Sequence, residues 1–217
     1  MGIVQRRVVI AALLFAMSAT AAWRLAHPPL SPREESWLAS GYRQVNIGRY
    51  GYAYARFRKV LSINASNDEA RQMLDALKIY GYLLRKKPSP GTLARYEETR
   101  KRYPDSPYVA MIGGELKLAV GDADSAIRLH REAAEAKPDI SHNWYGLGMA
   151  YRAAGQHEAA LEALKRATSG EATVWHYLEL GHQLFHARDF DAASRAFRQA
   201  YEKSPRFVDA RIGELRS

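Results

Sequence analysis

The chain has 217 residues, of which 47% are hydrophobic and 25% are charged, so its composition is that of a folded protein rather than a disordered one. It contains no cysteine, which excludes a disulfide scaffold, a thiolate metal site and a catalytic thiol. Thirty-two Lys and Arg residues against 23 Asp and Glu give a net charge of +9, which favours partners such as nucleic acid, anionic lipid or an acidic protein face.

The first 26 residues have the pattern of a targeting segment. Two arginines precede an apolar run from Val8 to Met17, and small residues follow it in the pattern of a signal peptidase site. Extended through Trp23, the run is slightly shorter than a segment that usually spans a bilayer. Residues 1–26 are therefore predicted to be either a signal peptide or a single-pass membrane anchor, and both alternatives export the rest of the chain. Residues 27–33 are rich in proline and are predicted to form an extended spacer.

Beyond residue 33 the sequence repeats itself. Four glycines are each followed twelve residues later by an alanine: Gly41, Gly114, Gly148 and Gly181. Seven residues after each alanine comes another small or slim residue, and an aromatic or long apolar residue often falls between them, as at Phe57, Leu164 and Phe197. The second and third of these glycines are 34 residues apart, and the third and fourth are 33 apart.

This order of Trp, Leu-Gly, Tyr, Gly, Ala, Phe or Leu, Ala and Pro resembles the tetratricopeptide repeat, whose period is 34 residues. The resemblance implies an all-α fold, a solenoid of stacked helix pairs, over residues 34–207. The predicted units are 34–67, an irregular unit at 68–106, then 107–140, 141–173 and 174–207. Residues 208–217 are predicted to form a short capping helix over the last apolar face.

Two local patterns are interpreted through this register. The stretch YGYAYARF from Tyr50 has tyrosines at alternate positions, as in a strand, but the repeat register predicts a helix. In the unit that starts at residue 141, Gly148 is predicted to permit close approach of the second helix at Ala160, and Gly155 to end the first helix in a left-handed conformation. Gly146 has no explanation in the repeat pattern.

In this family the first helix of each pair lines an inner groove, so the resemblance implies a set of partner-binding residues. They are Leu38, Tyr42, Asn46, Tyr108, Met111, Glu115, Tyr145, Met149, Arg152, Leu178, His182, Phe185 and His186. The set is aromatic, apolar and lightly charged, which suits a helical or extended protein segment with large side chains. The side chains with which members of the family clamp a C-terminal carboxylate are missing from these positions. An alternative for any one of the aromatic residues is packing between neighbouring repeats.

Catalytic and metal-binding motifs are sparse. His182 and His186 have the spacing of a two-histidine metal pair, but Gln183 stands where a zinc protease needs its glutamate. The sequence offers no third ligand apart from His142, one repeat away. No phosphate loop, nucleophile elbow or paired-carboxylate context is present, so the chain is predicted not to be an enzyme and to need no cofactor.

Positive charge concentrates in the irregular unit. This basic patch consists of Arg85, Lys86, Lys87, Arg95, Arg100, Lys101 and Arg102. One interpretation is a solvated face, and the other is a docking surface for an acidic protein, an anionic polysaccharide or the lipid surface beside the N-terminal segment. Nucleic acid is not expected, because an exported domain would rarely meet it.

The sequence therefore predicts a non-catalytic scaffold that binds protein segments in its groove. Resemblance to small bacterial tetratricopeptide proteins with one N-terminal hydrophobic segment implies the periplasmic side of an inner membrane. It also implies a role in assembly of an envelope complex, in cytochrome c maturation, pilus or secretion assembly, or polysaccharide export. The alternatives are a metal-binding protein that uses His182 and His186, and a cytosolic basic adaptor that binds nucleic acid.

Overall fold

A computed structural model describes residues 29–83 and 88–205. These residues contain ten helices and no strand: α1 (Pro32–Asn46), α2 (Tyr50–Ile63), α3 (Asp68–Leu83), α4 (Pro90–Arg102), α5 (Pro107–Ala119), α6 (Ala123–Ala136), α7 (Ser141–Ala153), α8 (His157–Thr168), α9 (Val174–His186) and α10 (Phe190–Lys203). None of the helices in these two ranges is both long and apolar enough to cross a bilayer. The predicted targeting segment and capping helix lie outside the described residues.

The helices of the later units pack as successive pairs. Helix α5 packs on α6, α7 on α8, and α9 on α10, while α6 and α8 also pack on the first helix of the following pair. The first helices touch each other as well, α3 with α5 and α5 with α7. This arrangement is a helix-pair solenoid, so the predicted all-α solenoid is confirmed for the described residues.

The spacing of small residues in the sequence follows from this packing. The four alanines that come twelve residues after the repeat glycines are fully buried: Ala53, Ala126, Ala160 and Ala193. The small residues seven positions later are fully buried too: Val60, Ala133, Ala167 and Ala200. Each second helix therefore approaches its neighbours along a stripe of small side chains, which keeps helix axes close.

The start of α1 is fixed by a capping box. The hydroxyl of Ser31 accepts a hydrogen bond from the backbone N–H of Glu34, and the carboxylate of Glu34 accepts one from the backbone N–H of Ser31 at 2.9 Å. Pro32 then occupies the first helical position, where its missing N–H is of no consequence. Helix α1 therefore begins two residues before the start that the repeat register predicts.

The tyrosine-rich stretch at the start of α2 is helical, as the repeat register predicts. Tyr50, Ala53 and Phe57 are buried on one face, and Tyr52 is 64% exposed on the other. The spacing of three and four between the buried residues is that of a helix and not of a strand.

Each of three repeat glycines receives a large side chain from the second helix of its own unit. A Cβ built on Gly41 would lie 2.7 Å from Phe57, one on Gly148 2.7 Å from Leu164, and one on Gly181 2.6 Å from Phe197. The Gly148 Cβ would also lie 3.3 Å from the backbone oxygen of Ala160, so the predicted close approach is present. The missing side chains make room for these three large ones.

The turns inside four of the units share a left-handed residue. Gly48, Gly121 and Gly155 have φ of +70°, +83° and +72°, which confirms the prediction for Gly155. In the last unit the same position holds Arg188, which adopts φ of +62° although it has a side chain. The turn of the last unit therefore keeps its left-handed conformation without a glycine. Arg188 incurs the energetic cost that a residue with a side chain has in this conformation.

Candidate partner-binding site

A surface cleft of about 830 Å³ lies where the C-terminal ends of α7 and α9 meet the start of α8. Its walls are formed by Arg152, His157, Glu158, Leu161, Glu179, His182, Gln183, His186 and Ala187. We call it the C-terminal cleft. Three of the residues predicted to line the groove, Arg152, His182 and His186, are brought together here.

The carboxylate of Glu179 organises one wall of this cleft. Its Oε1 forms a salt bridge with Nε of Arg152 at 3.1 Å and accepts a hydrogen bond from Nε2 of Gln183 at 3.2 Å. Gln183 and Glu179 are largely buried, whereas His157, Glu158, His182 and His186 are exposed. The cleft thus offers charges of both signs, several imidazole groups and the apolar side chain of Leu161, a mixture that suits a protein segment.

The histidines of the cleft lack a metal-binding arrangement. Among residues 29–83 and 88–205, no group of three or more His, Cys, Asp or Glu side chains could hold a metal ion. His182 places its ring edge-on against Phe197, with ring centroids 5.2 Å apart. His142, the third ligand considered from the sequence, packs instead against Tyr50, Tyr145 and His176.

The other predicted groove residues are not part of this cleft. Five of them are buried: Leu38, Asn46, Tyr108, Met111 and Leu178. Another five are partly buried: Tyr42, Glu115, Tyr145, Met149 and Phe185. Several of these side chains contact other parts of the same chain, and a role in partner binding stays a prediction for them.

One set of internal contacts joins α1 to the N-terminal ends of α3 and α5. The hydroxyl of Tyr108 donates a short hydrogen bond to Glu69 and lies 2.7 Å from the hydroxyl of Tyr42. Nζ of Lys137 donates to the same Glu69 carboxylate at 2.9 Å. Burial opposes ionisation of Glu69, but these donors outweigh it and hold its pKa below the usual value.

A second set joins the start of α2 to α5 and α7. The hydroxyl of Tyr50 is hydrogen-bonded to Nε2 of His142, and the same nitrogen lies 3.3 Å from Oε1 of Glu115. The ring of Tyr50 also packs on Tyr80, with centroids 4.0 Å apart. Burial raises the pKa of Tyr50 well above its usual value, so its hydroxyl keeps its proton. For Glu115 burial acts to raise the pKa, but the hydrogen bond from His142 brings it below the usual value.

A small cavity of about 120 Å³ remains beside these contacts. Its walls come from the turn between α1 and α2 on one side and from α7 and the start of α9 on the other: Asn46, Ile47, Gly48, His142, Tyr145, Thr173, Trp175 and His176. Ile47 and Trp175 are 38% and 53% exposed beside it. The turn thus lies over first helices that are more than ninety residues away in the sequence.

His130 is the residue that the sequence interpretation missed. It is fully buried, and neither ring nitrogen has a hydrogen-bond partner. A Cβ on Gly114 would lie 2.5 Å from Cδ2 of its ring, and a Cβ on Gly146 would lie 2.5 Å from Nδ1. Gly146, which the repeat pattern did not explain, therefore makes room for the histidine of the preceding unit.

The signal for this pair is present in the sequence. Phe57, Leu164 and Phe197 each follow a repeat glycine by sixteen residues, and His130 follows Gly114 by the same number. Burial without a hydrogen-bond partner disfavours the charged imidazole and lowers the pKa of His130 to about 4. His130 is thus a neutral core residue at pH 7.

Two of the four described residues of the predicted basic patch, Arg100 and Arg102, form ion pairs. Nη2 of Arg100 contacts both carboxylate oxygens of Glu132 at 2.7 and 2.8 Å, and Arg102 lies 3.3 Å from Glu98 and 3.6 Å from Asp75. Arg95 lines a cavity of about 190 Å³ between α3 and α4, and Lys101 is exposed. Arg85, Lys86 and Lys87 lie outside the described residues. Carboxylates therefore offset much of the described positive charge, and docking to an acidic surface stays a prediction.

Comparison with known proteins agrees with this architecture. A family model of the tetratricopeptide repeat matches residues 117–178. No curated protein matches the chain. Many solved structures do match it. The three described next are 16–21% identical to it, so they bear on the fold alone.

Three of these structures illustrate the likeness. TTC0263, a tetratricopeptide-repeat protein of Thermus thermophilus, is 21% identical over 84% of this chain and 97% of its own, with a TM-score of 0.55. MamA from Desulfovibrio magneticus RS-1 is 16% identical over 82% of this chain and 98% of its own, with a TM-score of 0.52. A chain of the APC/C hetero-tetramer Cut9–Hcn1 is 19% identical over 71% of this chain but only 29% of its own, with a TM-score of 0.54.

Repeat solenoids of this kind present extended surfaces to other proteins and are generally non-catalytic scaffolds. The matched residues cover α6 to α8 together with the end of α5 and the start of α9. The helix pairs before and after them continue the same stacking. Residues 117–178 therefore match the tetratricopeptide repeat, and the rest of the described chain shares the helix-pair fold of solved tetratricopeptide-repeat structures.

Proposed function

We propose that this protein is an adaptor that captures a segment of another protein in the C-terminal cleft. The observation that carries the proposal is the cleft itself, a space of about 830 Å³ on the surface of a fold that serves protein binding. Three of its residues, Arg152, His182 and His186, are among those that the repeat register assigns to the groove.

The chemistry of the walls indicates what kind of segment fits. The exposed imidazoles of His157, His182 and His186 both donate and accept hydrogen bonds when neutral, and Leu161 offers an apolar contact between them. Glu158 is exposed and its carboxylate is able to accept hydrogen bonds from a ligand, whereas Arg152 is already paired with Glu179. The expected ligand is a short segment with one apolar anchor flanked by polar or basic side chains.

A double variant, His182→Ala with His186→Ala, tests this assignment. Both side chains are exposed, so the variant should keep its helicity and lose capture of the partner in a pull-down followed by mass spectrometry. Asp124→Ala is the matched control, because Asp124 is exposed on α6 and outside the cleft. Loss of the same proteins from both variants, or from neither, contradicts the cleft assignment.

We propose further that the scaffold works outside the cytoplasm, on the periplasmic side of an inner membrane, during assembly of an envelope complex. This part of the proposal is supported by the sequence of residues 1–26, where a basic start precedes an apolar run and small residues. A reporter enzyme that is active only in the periplasm, fused after Ser217, tests it. Activity is expected, and an inactive but expressed fusion refutes export.

A further inference from the structure

The turn between α1 and α2 covers a surface that the repeat register assigns to ligand binding. Residues 46–50 and the preceding Tyr42 contact the N-terminal ends of α5, α7 and α9, through Tyr108, His142 and the small cavity beside Trp175. Tyr108 and Tyr145 belong to the predicted groove set. Tyr108 stacks on Tyr42 of α1, and Tyr145 lines the cavity beside the turn. The turn thus covers part of the predicted groove at α7 and α9, although Tyr42 and Asn46 were themselves predicted to line the groove at α1.

The turn makes specific contacts with the rest of the chain, but its packing against α7 and α9 leaves a cavity. They consist of the Tyr42–Tyr108 hydroxyl pair, the Tyr50–His142 hydrogen bond and the ring contact of Tyr50 with Tyr80. Between the turn and α7 and α9 a cavity of about 120 Å³ is left unfilled. Ile47 and Trp175 stay exposed at its edge, where a well-packed core would bury them.

From these contacts we infer that residues 46–50 act as an intramolecular, autoinhibitory ligand, and that a partner segment bearing a tyrosine competes with them for the surface at α5, α7 and α9. This inference rests on the proposed function, because it concerns a second part of the same binding surface. It adds that access to this part is controlled from within the chain.

The chemistry of the competing side chain follows from the site that holds Tyr50. The ring of Tyr50 lies against Tyr80 and edge-on to His142, with the centroids of Tyr50 and His142 5.6 Å apart. These surroundings suit an aromatic ring. The hydroxyl group reaches Nε2 of His142 beside the Glu115 carboxylate. A phenylalanine fills the same volume but loses this hydrogen bond, so the site distinguishes tyrosine from phenylalanine.

The variant that tests the inference is full-length Tyr42→Phe with Tyr50→Phe. It keeps both rings and removes two hydroxyl contacts, which shifts the ratio of docked to released turn about tenfold towards release. Because the chain has no native cysteine, Tyr52→Cys and Lys165→Cys accept spin labels without further changes. We expect the distance between these labels to gain a longer population in the variant, while the pair Asp124→Cys and Lys165→Cys keeps its distance and shows that the later repeats are intact.

Binding of a defined probe completes the test. The probe is a fluorescent peptide with the sequence of residues 41–58, which includes Tyr42 and Tyr50. It should bind the full-length variant about tenfold more tightly than the unmodified protein, and a peptide with phenylalanine in place of Tyr50 should bind more weakly. Equal binding to both proteins, or an unchanged distance between the labels on Tyr52→Cys and Lys165→Cys, overturns the inference.

Two further readouts separate this inference from its alternatives. A dimer of the variant in light scattering identifies a second copy of the chain as the occupant and overturns the assignment to a partner. The His182→Ala and His186→Ala changes should leave peptide binding at the turn surface unchanged. Capture in the C-terminal cleft and release of the turn can therefore fail independently.

Discussion

Replacement of Gly146 by alanine should destabilise the protein, although alanine is the better helix former. The new Cβ would lie 2.5 Å from Nδ1 of His130, well inside van der Waals contact. The ring has no room to retreat, because Gly114 holds its other side equally closely. An overlap this deep lies in the upper half of the range for overpacking, about 2–3 kcal/mol, and the helix propensity of alanine returns up to about 1 kcal/mol. We therefore expect a net loss of about 1–2 kcal/mol in the free energy of unfolding.

Urea denaturation followed by circular dichroism measures this loss, as a lower midpoint at an unchanged m-value. Gly51→Ala is the matched control, because a Cβ at Gly51 meets no atom within 4 Å and should leave stability unchanged or raise it by up to about 1 kcal/mol. In a His130→Ala background the ring is gone, so Gly146→Ala should no longer destabilise. A Gly146→Ala protein as stable as the parent, or a loss that persists without the ring, refutes the packing account.

The remaining predictions concern stability at three other places. His130→Leu removes two buried nitrogens without hydrogen-bond partners and should raise the free energy of unfolding by about 1 kcal/mol or more in urea titrations. Arg188→Gly relieves a positive φ and should add about 1 kcal/mol, whereas Arg195→Gly at an exposed position within α10 should lower stability by a similar amount. Burial lowers the pKa of His130 to about 4 and that of His176 to about 3. Both imidazoles are therefore neutral in the folded chain at pH values at which the unfolded chain, with an ordinary histidine pKa of about 6.5, is already protonated. Stability should therefore be full above about pH 6.5 and fall towards about pH 4 by up to about 1.4 kcal/mol per pH unit for each histidine, with a shallower fall in His130→Leu. An equal slope in both proteins contradicts the assignment to His130.

The helix pairs were predictable because their cause is local in the sequence. The same steric constraints recur from unit to unit. They are met by a repeat glycine, by a buried alanine twelve residues later and by a glycine in the turn between them. Arg188 shows the limit of this logic, since the turn keeps its left-handed residue after the glycine is lost. The chain length between the two helices and their packing determine that conformation, rather than the residue type alone.

The partner-binding surface was only partly predictable, because it depends on contacts between distant residues. The repeat register assigns one inner face to every first helix and so groups Tyr42, Tyr108 and Tyr145 with His182 and His186. In the structure the first three contact other parts of the chain, while the two histidines line the C-terminal cleft. No repeat spacing encodes the contact of Tyr50 with His142, which are 92 residues apart.

Gly146 was partly predictable, because one half of its contact follows the repeat spacing and the other half does not. Its neighbour His130 sits at a repeat position that the sixteen-residue spacing identifies, but the contact crosses from one unit to the next. A sequence pattern that treats each unit alone does not reveal it. Stacking of consecutive units, which places α6 on α7, is the information that was missing.

The most direct test of the central claim is site-specific photocrosslinking from the C-terminal cleft in the cells that produce this protein. A photoreactive amino acid replaces exposed His186 at the cleft, and in a parallel experiment it replaces exposed Asp124 on α6. Capture of a protein segment predicts a discrete crosslinked adduct from position 186 that is absent from position 124. Adducts of equal yield from both positions, or an adduct from position 124 alone, contradict the claim that the cleft binds the partner.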